Sequence, residues 1–201
     1  MEEEKKDSTF NTKEDQLVYA CSQGYYLEVQ ELLASGVSPN CQGLLKTTPL
    51  NAAATHRQFR IIDLLLTNGA DINFESDEVL SFSRTPLAIA CNNADLEMVE
   101  YLLERGADID LMSGIYGNPI HAAIKSNSLT LLAFLIEKGA WLEAKHGVYL
   151  ETPICAAARL NHLEAVALLI AKGAKTKPLR KMPRKDISGK MVKFLKARGC
   201  I

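Results

Sequence analysis

Four histidines and five cysteines are the side chains of this 201-residue chain best suited to nucleophilic, acid–base or metal chemistry. Their spacing supports none of it. Cys21, Cys41, Cys91, Cys155 and Cys200 are odd in number, far apart and free of any C-x-x-C pair, the pattern of reduced thiols without a zinc site. His56 and His146 belong to no recognisable ligand motif. Ser188-Gly189-Lys190 lacks the upstream glycine of a phosphate-binding loop, and neither H-E-x-x-H nor G-x-S-x-G occurs. These residues give no sign of catalysis, of a cofactor, of a metal or of a small-molecule substrate.

A second kind of chemistry is electrostatic. The formal charge is only −1, yet residues 172–201 hold eleven Lys/Arg and a single acid, Asp186, so that segment carries +10 and residues 1–171 carry −11. Its densest part includes Lys177, Arg180, Lys181, Arg184 and Lys185. Such a run fits a nuclear-targeting or nucleic-acid patch, a solvated polar end, or a dock for an acidic protein or anionic lipid surface. The N-terminal stretch MEEEKKDSTFNTKED has no apolar run behind a basic start, and nowhere do eighteen apolar residues follow one another. Neither a signal peptide nor a membrane span is expected, and the chain reads as intracellular.

The elements that must position these side chains come from an internal repeat. Thr48-Pro49-Leu50, Thr85-Pro86-Leu87, Asn118-Pro119-Ile120 and Thr152-Pro153-Ile154 recur at intervals of 37, 33 and 34 residues. Gly36, Gly69, Gly106, Gly139 and Gly173 keep the same beat, each closing a Leu-rich stretch, and every Pro-to-Gly distance within a unit is 20. Thr or Asn before Pro is a helix N-cap followed by a residue preset for the first helical position. Small residues such as Ala52-Ala53-Ala54 let a second helix approach, and Gly supplies the left-handed residue that ends it. Helices this short are marginal alone, so stability must come from stacking one pair on the next.

These motifs, with Gly69-Ala70-Asp71-Ile72-Asn73, Gly106-Ala107-Asp108-Ile109-Asp110 and Asn118-Pro119-Ile120-His121-Ala122-Ala123, resemble the ankyrin-repeat family over about nine-tenths of the chain. The resemblance implies an all-α solenoid of helix-turn-helix units with β-hairpin fingers, in five repeats and a shortened C-terminal cap. The expected boundaries are an acidic segment 1–14, repeats 15–47, 48–84, 85–117, 118–151 and 152–176, and a cap over 177–201, with Asp15 at the first capping position. It assigns His121 to bonding the capping residue at its helix start, and Cys21 and Cys91 to the small core position that Ala54 and Ala158 fill. It also implies Asn40 and Asn73 as candidate asparaginyl hydroxylation sites, each eight residues after a leucine, Leu32 or Leu65.

The resemblance implies a scaffold, not an enzyme, that binds another protein, and the chain is expected to be monomeric in isolation. In the fingers, Leu45, Phe82, Ile115 and Tyr149 stand four residues before each Pro, with Tyr116 and Leu150 one position later. This apolar and aromatic column reads either as an interface or as fingers packed on one another. The longer second finger, with Phe74 near its start, is a candidate partner-reading loop. On the concave face of first helices the positions that vary are His56, Asn92, Asn93, Lys125 and Arg159.

Overall fold

The computed structural model describes residues 12–43, 46–76, 85–113, 118–145 and 151–201. Where Pro follows Thr or Asn, a seven-residue helix begins at that Pro. These are α3 (Pro49–Thr55), α5 (Pro86–Asn92), α7 (Pro119–Lys125) and α9 (Pro153–Arg159). Thr48 and Asn118 are extended N-caps whose side chains accept the backbone N–H three residues on, at Asn51 and His121. Thr152 has the same extended backbone without the side-chain bond.

Nine-residue partners follow each of them, α4 (Phe59–Thr67), α6 (Leu96–Glu104), α8 (Leu129–Glu137) and α10 (Leu163–Ala171). Each ends at its glycine with φ between 86° and 95°, in the left-handed region that favours glycine. The bond from Ala70 N–H back to Leu65 O, repeated from Ala107 to Leu102, closes the last turn.

The tight turn inside each pair needs a left-handed residue too, and here the chain is less consistent. Gly24 (φ 77°) fills the position in the first pair, while Arg57, Ala94, Asn127 and Asn161 fill it later with φ of 53° to 61°. Asn tolerates this region; a β-carbon on Arg or Ala is crowded there. Ala94→Gly is accordingly expected to stabilise the protein by about 0.5–1 kcal/mol, read as a rise in the urea midpoint.

The first pair differs from the expectation. Its opening helix, α1 (Lys13–Gln23), is capped by Thr12, whose Oγ1 accepts from Asp15 N–H at 3.1 Å, and Asp15 lies inside the helix. Without a proline to fix the start, the helix gains an extra turn over the seven-residue first helices. Its partner is α2 (Tyr26–Ala34). At the other end, two short 3-10 turns, Lys177–Lys181 and Arg184–Asp186, lead into α11 (Gly189–Ala197), capped by Ser188. Apart from single bridge residues at Ser113 and Glu151, the described residues contain no strand; most of each expected finger lies outside them.

The chain divides into two compact units, one holding α1–α4 and the other reaching from Leu87 to Ile201. In the first, α1 packs on α3 and α2 on α4; in the second, α7 packs on α9 and α8 on α10. Like helices therefore stack on like. Leu17, Ala20, Ala53, Ile62 and Leu65 are buried in the first unit. In the second, Ile120, Leu131, Leu132, Leu135, Ile154 and Leu169 are at most 1 % exposed.

Candidate functional site

The C-terminal ends of the first helices carry the side chains that vary between repeats. His56 caps α3 and is exposed, Asn93 follows α5 and is exposed, and Lys125 ends α7 and is exposed, with Asn92 half-buried. Leu160, just past α9, is 45 % exposed. The frame beneath is invariant in type: Pro49, Pro119 and Pro153, and Ala53, Ala90, Ala123 and Ala157, are all buried. Variable polar groups thus stand on a fixed scaffold.

Arg159 departs from that pattern. Its guanidinium makes a bidentate contact with Glu151, with Nη2 to Oε2 at 2.8 Å and Nε to the same oxygen at 3.0 Å, and its Nη1 lies 3.3 Å from Asp186. Those charge-assisted bonds hold the arginine even more firmly protonated than usual. Arg159 is therefore a tie between the fifth repeat and the 3-10 turn after it. Phe74 is half-buried, its N–H donating to Asp71 O at 3.0 Å. Leu45, Phe82, Ile115, Tyr116, Tyr149 and Leu150 lie outside the described residues, so the finger column has no structural account.

At the basic end the eleven cations, Lys177, Arg180, Lys181, Arg184 and Lys185 among them, are all exposed. The lone acid, Asp186, faces Arg159. Leu179, Met182, Ile187, Met191 and Leu195 are buried beneath the charges. Arg180 Nε donates to Cys200 O at 3.3 Å, and the Arg198 guanidinium lies 3.7 Å from the Phe194 ring centroid. The surface is cationic, and Val192, Phe194 and Ile201 of the same unit are half-buried.

His121, Cys21 and Cys91 belong to the buried frame of the repeats. His121 is buried, with Nδ1 2.7 Å from Asn118 Oδ1 and Nε2 3.2 Å from Glu151 O. Cys21 and Cys91 are fully buried, and burial pushes both thiols far above their ordinary range. Cys41 is half-buried; desolvation, then the negative field of Glu14, raises it to about 11. Because the thiolate is the nucleophile, its alkylation by iodoacetamide is expected to be slow at pH 8 and to accelerate about tenfold per pH unit until near pH 11. No cluster of three potential metal ligands occurs among the described residues.

One recurring contact was not predicted from the sequence. Asn40 Oδ1 accepts from Asp71 N–H at 2.8 Å while its Nδ2 donates to Gly69 O at 3.2 Å, so the amide clasps the turn of the next repeat. Asp110 accepts from Trp141 N–H at 2.8 Å, and Glu143 from Lys175 N–H at 2.7 Å. In these three repeats the side chain four residues after the closing glycine thus holds the register of its neighbour. Asn40→Ala, which removes both bonds, is expected to cost about 1–2 kcal/mol by urea unfolding.

Among family models, one for ankyrin repeats in three copies matches residues 17–113, and one for a single ankyrin repeat matches residues 149–179. No curated protein matches the chain.

Proposed function

Because the chain belongs to the ankyrin-repeat family, whose repeats are generally protein–protein interaction modules, we propose that it is a non-catalytic adaptor that binds a partner protein. The contact uses the C-terminal ends of its first helices together with the fingers. The observation that carries this reading is the exposed side chains at the C-terminal ends of the first helices, His56 in the first unit and Asn93, Lys125 and Leu160 in the second, above a buried frame of constant residue type. Most other positions of those helices are buried, so these ends are the part available to read a partner. A photo-crosslinking residue placed at Asn93 or Lys125 should capture one discrete protein in the native cell. The same residue at Glu100 or Glu104, exposed on α6, should not. Equal capture from both positions would refute the assignment.

A second reading draws on the eleven exposed cations of the end unit. With Lys outnumbering Arg and the apolar side chains turned inward, this surface suits diffuse attraction to a polyanion, an anionic membrane or nucleic acid, and nuclear targeting. A terminal repeat also needs a polar outer face for solubility, and Lys and Arg supply it.

A further inference from the structure

Trp141 is the only tryptophan in the sequence and is 59 % exposed. It stands two residues after Gly139, where the earlier repeats carry Ser38, Asp71 and Asp108. In each of those, the side-chain oxygen accepts the N–H two residues on: Ser38 from Asn40 at 3.2 Å, Asp71 from Asn73 at 2.9 Å, Asp108 from Asp110 at 2.9 Å. An indole has no oxygen to do this. The fourth repeat has lost a turn-forming bond and set a large aromatic side chain half in water, a local departure from its own repeat of the kind expected at a functional surface.

The surroundings specify what that ring would meet. Asp110 accepts the Trp141 N–H at 2.8 Å, and Asp108, itself exposed, holds the Asp110 N–H. Glu143 is two residues further along the same turn, and Met112, two residues past Asp110, is 42 % exposed. All of them belong to the second unit. An open indole face attracts cations through its quadrupole, and the three neighbouring carboxylates outnumber Lys145 and Lys175, the exposed cations at the same turns, so the net charge there still favours a cation. Met112 adds apolar area for an aliphatic stem.

We propose that Trp141, with Met112, Asp108, Asp110 and Glu143, docks an arginine- or lysine-bearing segment of a partner polypeptide. This rests on the reading of the chain as a protein-binding module. It uses none of the residues proposed above to contact the partner, so the two can fail separately.

The lone tryptophan makes the test direct. Trp141 emission is titrated with an acetylated, amidated tri-arginine peptide and with its citrulline counterpart, which keeps the shape and loses the charge. A saturable change with arginine, absent with citrulline, is expected. The Asp108→Ser/Asp110→Asn variant should weaken it at least tenfold. That variant installs the residues the first repeat already has there, Ser38 and Asn40, and so keeps both turn bonds. In calorimetry, Trp141→Ser should lose the arginine peptide while retaining the helical circular dichroism. An equal response to citrulline, an unaltered response in the charge-neutral variant, or saturation by a tri-glutamate peptide instead would overturn the proposal. So would a concentration-dependent emission change accompanied by a dimer in sedimentation, which would make a second copy the occupant.

Discussion

Leu135→Ala is expected to lower the stability of the second unit by about 2–5 kcal/mol, the largest single-residue effect foreseen for this chain. Leu135 is fully buried in α8, where it lies among Leu131, Leu132 and the neighbouring repeat's helices, and deletion leaves a cavity that stacked helices cannot readily collapse. Trp141 lies in that unit, so its emission reports the unit's unfolding in urea, while far-UV circular dichroism sums both units. The tryptophan-detected midpoint should fall well before the part of the circular-dichroism signal due to α1–α4. A loss below about 1 kcal/mol would mean that the α7–α10 stack is not the core it is taken to be.

The second large effect concerns the basic end. Neutralising Arg180, Lys181, Arg184 and Lys185 to Gln should weaken binding to vesicles rich in anionic lipid by on the order of a thousandfold at low salt, each cation near such a surface contributing about 1 kcal/mol. All four side chains are exposed, and the apolar residues beneath them point inward, so the fold should survive the change. Salt should do the same work as the substitutions, because exposed charges are screened over about 8–10 Å at physiological strength. Vesicle flotation and a duplex DNA titration, each across a salt series, separate lipid from nucleic acid. Salt-independent binding, or none to either, would reduce the cationic surface to a solubilising cap.

Most of the architecture could be read from the residues because each signal acts locally. Thr or Asn before Pro sets a helix start within one turn, and glycine after a Leu-rich run sets its end, so the helices appear where the repeat places them. The local signal is absent at the first repeat: Gln16 stands where the other repeats have Pro, so α1 extends back to Lys13 and Thr12 takes the capping role. The turn inside each helix pair was hidden differently. Asn127 and Asn161 are ordinary left-handed residues, but Arg57 and Ala94 adopt that conformation only because the stacked helices impose it.

Contacts between repeats were less legible, since they join residues about 31 positions apart and tolerate different side chains. Asn40, Asp110 and Glu143 make the same backbone bond, and no single residue type marks the position. Arg159 shows the same limit. Its place on the first helix matched a partner-reading position, whereas its partners Glu151 and Asp186 make it a structural tie. The one acid in a run of eleven bases was the available clue. His56, Asn93 and Lys125 remain as the exposed set, whereas Arg159 is half-buried.

The claim that these helix ends read a partner is tested most directly by quantitative affinity capture from the native cell. The intact chain is compared with a His56→Ala/Asn93→Ala/Lys125→Ala variant and with a Glu100→Ala/Glu104→Ala control, all three matched by helical circular dichroism. A protein retained by the intact chain and the control, and depleted at least tenfold with the triple variant, is the predicted result. Undiminished capture by the triple variant, or loss with the control alone, would contradict it.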